Sequence, residues 1–178
     1  MTLGVILLVQ LSYGQSPDKG VWNHKSKHSI DFSPMSPLFD IYAVQYNYHL
    51  SPEDELILGA AYLNIGYDYG RMNSPSLIAG YRRYLWKNLH IEYQLWPGYD
   101  NFYEKNEDKY YGTYYLWNEF RMGYKVEVQV AGRPLYLNFQ WPFGFDLYTS
   151  NIPGSMKKHK EEEPFFYFPP MFFLGFQL

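Results

Sequence analysis

The chain has 178 residues, enough for one domain with a sizeable core, and no cysteine, which excludes disulfides and cysteine-based metal or nucleophile sites. Its formal net charge of −3 and pI of about 5.9 leave no basic face for a nucleic acid. Hydrophobic residues make up 47% although the mean hydropathy is −0.40, because 20 Tyr count as apolar in one tally and polar in the other; with 13 Phe and 5 Trp they favour strands and argue against disorder.

Leu3 to Leu11 is an apolar run too short to cross a bilayer as a helix, and Ser12-Tyr13-Gly14 places small residues at −3 and −1 before Gln15. Residues 1–14 are therefore expected to be a secretory signal peptide, although Met1-Thr2 carries no basic residue, and 15–178 a single domain. Beyond this point no 3.6-residue pattern is visible, and the chain alternates with a period of two. In Leu89–Asp100 one parity reads Leu, Ile, Tyr, Leu, Pro, Tyr and the other His, Glu, Gln, Trp, Gly, Asp. Leu116–Val130 and Leu135–Tyr148 repeat the pattern over about 12 to 15 residues, against a usual strand of about 5 to 6. Long strands with one apolar and one charged or amide face predict a transmembrane β-barrel.

The connections alternate. Ser51–Asp54, Lys87-Asn88 and Ala131–Arg133 are short; Gly70–Pro75, Glu104–Gly112 and Thr149–Glu163 are longer and polar. The strand Leu38–Leu50 precedes a short turn, so it runs inward and needs a predecessor, which residues 20–33 supply. The count is eight, antiparallel and up-and-down, with short turns on the periplasmic side. Lys157–Glu163 reads as a solvated external loop.

Strand direction gives each residue a height. A polar network is expected low in the lumen from Gln45, Asn47, His49, His90, Glu92, Gln94, Glu119, Arg121, Lys125, Glu127, Asn138 and Gln140, since buried charges must be paired. Lys125 is expected to pair with Glu127 or Glu92. His90 and Glu92 share a face, but without a third ligand they make no metal site, and neither metal nor cofactor is expected. Higher up, Trp96, Tyr115, Trp117, Phe165, Tyr167, Met171 and Phe173 form either a packed aromatic core or a pocket for a small amphipathic or sugar-bearing ligand. Tyr67, Tyr69, Tyr99, Tyr103, Tyr110, Tyr111, Tyr114, Tyr148 and Tyr167 gather at the outer end, as in an interfacial girdle. Pro142, Pro169 and Pro170 remove backbone donors on adjacent strands, as bulges or as a lateral gap.

Phe172, Leu174, Phe176 and Leu178 share one parity in the last strand, and with it the chain resembles small eight-stranded outer-membrane barrels of bacteria, apart from the non-aromatic last residue. The resemblance implies a monomer in the outer membrane of a Gram-negative bacterium, reached by signal-peptide export, with outer-membrane lipid as its partner and no enzymatic role. Lipid A palmitoyltransferases, barrels with proline-flanked lateral openings, are similar in the prolines, which implies a lipid-modifying enzyme as the rival; their catalytic His, Asp and Ser set is not matched by a motif here. A secreted lipocalin-like barrel is the third reading and would turn the apolar parity inward.

Overall fold

The computed structural model describes residues 26–130, 133–167 and 169–178. The expected signal peptide, the first part of the 20–33 strand and the Ala131-Gly132 turn lie outside them. Eight antiparallel strands form the wall: β1 (His28–Phe32), β2 (Ile41–His49), β3 (Asp54–Leu63), β4 (Ser74–Trp86), β5 (Leu89–Glu104), β6 (Lys109–Val130), β7 (Arg133–Thr149) and β8 (Met171–Gln177). Each pairs with its sequence neighbours, and β1 pairs with β8, Ile30 opposite Phe176, so the sheet closes into a barrel. Closure pairs the lower part of the wall all the way round, leaving no strand edge there to template aggregation.

The alternation places polar side chains inside. Along β4, Ser74, Ser76, Ile78, Arg82 and Tyr84 are buried, while Pro75, Leu77, Ala79, Tyr81, Arg83 and Leu85 are exposed. Leu58 is 59% exposed, Leu77 64%, Phe139 50% and Trp141 60%, whereas Arg82, His90 and Lys125 are fully buried. This polarity is the reverse of what a lipocalin requires.

The wall is uneven. β5 and β6 run for 16 and 22 residues, β1 and β8 for 5 and 7. Ile41–Val44 at the top of β2 consequently pair with β3 but not with β1. On the other flank β8 pairs with β7 up to Met171 opposite Gln140, and Phe166–Tyr167 resume at Gly144 and Phe143. Trp141 and Pro142 have no strand partner on that side among the described residues, and Pro169 and Pro170 lie between the two paired stretches.

Three segments differ from expectation. Glu104–Gly112 is no long loop: β5 and β6 pair up to Glu104 opposite Lys109, leaving Lys105–Asp108 as the turn. Cross-strand rings extend the hairpin, Tyr99 on Tyr114 and Tyr103 on Tyr110, each with centroids 5.0 Å apart. Thr149–Glu163 contains a helix, α1 (Gly154–Glu162), whose one buried residue is Met156. A helix held by a single apolar side chain and by polar bonds gives no hydrophobic period to read. β2 begins at Ile41 rather than Leu38, because Ser36–Phe39 form a 3-10 turn that ends on Asp40 in the left-handed region (φ 56°).

The lumen is packed to the point of needing glycine. The ring of Tyr136, 2% exposed, lies across Gly175, where an added Cβ would collide with it. Gly175→Ala should therefore cost about 1–3 kcal/mol by overpacking, seen as a lower denaturant midpoint. An unchanged midpoint would mean that the ring has room to turn away.

Candidate functional site

The interior has three tiers. The lowest is an ion-pair ladder built by strand register. Glu55 on β3 stands opposite Arg82 on β4, Arg82 opposite Glu92 on β5, and Glu92 opposite Arg121 on β6. Charges of alternating sign therefore meet on one face of four consecutive strands. Arg82 Nε donates to Glu92 Oε2 at 2.6 Å, its Nη1 donates to Glu55, and its Nη2 is 3.8 Å from Asp31. Arg121 reaches Glu119 at 2.5 Å, Gln140 at 2.9 Å and Glu92 at 3.4 Å. Lys125 Nζ donates to Glu55 Oε1 at 2.9 Å and lies 4.3 Å from the centroid of the Tyr136 ring. Tyr84 also donates to Glu55, at 2.8 Å.

Eleven of the twelve residues expected in this network are buried: Gln45, Asn47, His49, His90, Glu92, Gln94, Glu119, Arg121, Lys125, Asn138 and Gln140. Glu127 is the exception, exposed near the short-turn end of β6. Lys125 accordingly meets neither Glu127 nor Glu92 but Glu55, and Glu92 is held by the two arginines. His90 Nε2 bonds Asn138 Oδ1 at 2.8 Å, and no three His, Asp or Glu side chains cluster as metal ligands among the described residues. Asp31, Glu55, Arg82, Tyr84 and Tyr136 belong to the network but were not found in the sequence. The available signal was the pair of hairpin registers that align Glu55, Arg82 and Glu92.

Above the ladder, Ile57, Ala61, Ile78 and Trp96 form an apolar layer with Ala43, Leu63 and Trp117 packed against it. A chain of donors links the tiers: Trp96 Nε1 to Gln94 at 2.8 Å, and Gln94 Nε2 to Glu92 at 2.5 Å.

The upper tier is a cavity of about 790 Å³. Trp96, Tyr115, Trp117 and Phe165 are among the residues that line it. The other three expected residues do not. Tyr167 is 67% exposed, its ring centroid 5.1 Å from that of Phe143, while Met171 and Phe173 are buried below, Phe173 5.1 Å from the Arg121 guanidinium. Sequence height was misjudged there because the break before β8 resets the register of that flank. The roof is α1 with the Gly66–Arg71 hairpin. Ser155 donates to Glu104, Lys160 Nζ is 2.7 Å from Asp146, and the Tyr67, Tyr69, Phe102 and His159 rings pack together with centroids 5.2 to 6.1 Å apart. Burial, with the Asp100 and Asp146 carboxylates nearby, pushes the Tyr67 hydroxyl up to about 12, so it stays a neutral donor. Over the low wall the cavity is bordered by Phe39 and Ile41 on one flank and Phe165 and Phe166 on the other. The chain matches no family model, no curated protein and no solved structure.

Proposed function

We propose that the protein is a non-enzymatic outer-membrane barrel of a Gram-negative envelope that holds a small amphipathic ligand at its outer mouth. One observation carries this reading: a closed barrel buries its charges and exposes large apolar side chains. In water that polarity would leave an apolar patch far beyond the few hundred Å² tolerated by soluble monomers. In a bilayer it is the stable arrangement, since a closed sheet pairs backbone groups between strands rather than exposing them to lipid. The outward residues of β5 from Ile91 to Tyr99 are Ile, Tyr, Leu, Pro and Tyr. At about 3.3 Å per residue and a tilt of about 40° they cover roughly 20 Å, close to the apolar band of about 25 Å on such barrels.

The ligand part rests on the cavity, which falls in the 300–1,000 Å³ range of small-molecule sites. Beneath the cavity, the ladder and the apolar layer above it fill the lumen, which favours a binding role over a conducting one.

The rival lipid-modifying reading draws support from the interrupted ladder at Pro142, Pro169 and Pro170. Mass comparison of lipids from cells with and without the gene separates the two; a reproducible acyl-chain difference would favour the enzyme.

Membrane extraction followed by electrophoresis with and without heating tests the main reading. The unheated barrel is expected to migrate apart from the boiled chain and to need detergent. Full solubility in buffer with no mobility shift would overturn it.

A further inference from the structure

We propose that the outer cavity binds a cationic amphiphile: an ammonium head beside Asp100, with a single hydrocarbon tail leaving over the low wall. The inference rests on the ligand-binding reading above and gives that ligand a chemistry.

Charge selects the head. Asp100 is 3% exposed and lines the cavity. Its Oδ1 accepts the Asn73 N–H at 3.0 Å, and its Oδ2 accepts no hydrogen bond from the described residues. Of the other lining acids, Glu119 is matched by Arg121 at 2.5 Å and Asp146 by Lys160 at 2.7 Å, while Asp40 and Glu163 are exposed to solvent and carry no burial cost. Lys160, the lining lysine, is thereby spent on Asp146, and an anionic head would find no unmatched lysine or arginine among the lining residues. A buried carboxylate without a cation is costly, and a ligand ammonium removes that cost.

The aromatic residues point the same way. Trp96, Trp117, Tyr115 and Tyr67 line the same cavity as Asp100, and aromatic side chains beside a carboxylate are a favourable setting for an ammonium group. The tail has a path because, among the described residues, Ile41–Val44 lack β1 partners and Trp141 and Pro142 lack β8 partners. Phe39, Ile41, Phe165 and Phe166 border that notch and offer apolar surface to a chain entering from the lipid leaflet.

The test is calorimetric titration of the purified full chain in maltoside micelles with octyltrimethylammonium, octyl sulfate and tetramethylammonium. One saturable site is expected for octyltrimethylammonium, at least tenfold tighter than for either other probe. Asp100→Asn, which keeps the acceptor for Asn73, should weaken it at least fivefold. Lys160→Met, which leaves Asp146 unmatched, should tighten it severalfold, a gain that no purely structural role would produce. Octyl sulfate binding as tightly would overturn the head assignment, and tetramethylammonium binding as tightly would overturn the tail. Absence of a saturable site, or indifference to Asp100→Asn, would overturn the site itself. If Asp100→Asn loses the heat-dependent mobility shift, Lys160→Met decides alone. Failure of the membrane reading shows separately, as a missing mobility shift in the unsubstituted chain; the titration then runs in buffer and judges the site regardless.

Discussion

Replacing Arg82 with methionine should destabilise the barrel by about 3–5 kcal/mol, the usual loss when one partner of a buried ion pair is removed. Arg82 is fully buried and spans three carboxylates, on Glu55, Glu92 and Asp31. Among the described residues of the lowest tier, four buried acids (Asp31, Glu55, Glu92, Glu119) face three buried cations (Arg82, Arg121, Lys125), so removing one cation widens an excess that no solvent screens. The loss should fall unequally. Glu92 keeps Arg121 at 3.4 Å, while Glu55 keeps Lys125 at 2.9 Å and Tyr84 at 2.8 Å. Adding Glu92→Gln should recover part of the loss, a coupling that distant sites lack. Arg83 supplies the control. It is adjacent in sequence, points outward, and its pair with Asp54 at 3.0 Å is exposed. Arg83→Met should leave the unfolding midpoint almost unchanged, since exposed ion pairs contribute little. Denaturant unfolding in detergent reads all three variants, and similar midpoints for Arg82→Met and Arg83→Met would show that the ladder does not hold the barrel together.

Arg82 and Arg83 also show how far the sequence could be read. Two adjacent arginines carry no label for which faces inward; the alternation of Leu77, Ala79 and Tyr81 settles it, provided that β4 is recognised. It was obscured because its inward side includes Ile78, and that of β3 includes Ile57, so the rule of polar inside and apolar outside fails where the apolar layer sits. β5, β6 and lower β7 obey the rule, and the network residues on them are buried where expected except Glu127, which lies close enough to the strand end to reach solvent. Closure into eight strands followed from loop alternation, a property of topology rather than of any single residue. The outer end was less legible. The Tyr-rich hairpin continues because of ring pairs across it, and α1 is held by Met156, Ser155 and Lys160, with Ser155 bonding a partner 51 residues away and Lys160 one 11 residues away. Such long-range anchors leave no periodic trace. Asp100 was readable as inward-facing, but its importance comes from Lys160 being matched by Asp146, a pairing that only the folded roof creates.

Phe139→Arg should block stable insertion, because it places a cation on the lipid-facing side of the wall, where the cost rises to about 2–4 kcal/mol at the midplane. Phe139 is 50% exposed on the outside of β7, between Tyr124 on β6 and Phe172 on β8. It touches none of the interior tiers, so any large effect must come from what surrounds the barrel. The sign of that effect is informative. In water, an outward phenylalanine exchanged for arginine is close to neutral and reduces the exposed apolar patch. In lipid, the same exchange places a charge where no partner can neutralise it. Tyr110→Arg is the matched control: Tyr110 is 61% exposed on the outside of β6, opposite Tyr103 and near the Lys105–Asp108 turn, above the apolar band. It should insert almost as well as the unsubstituted chain. The heat-shifted fraction recovered from membranes measures both. Loss for Phe139→Arg with retention for Tyr110→Arg is the expected pair of results, since only depth in the bilayer distinguishes two outward aromatic residues. Equal retention of both would mean that the exterior of the barrel faces water, and would sink the membrane reading while leaving the interior ladder untouched.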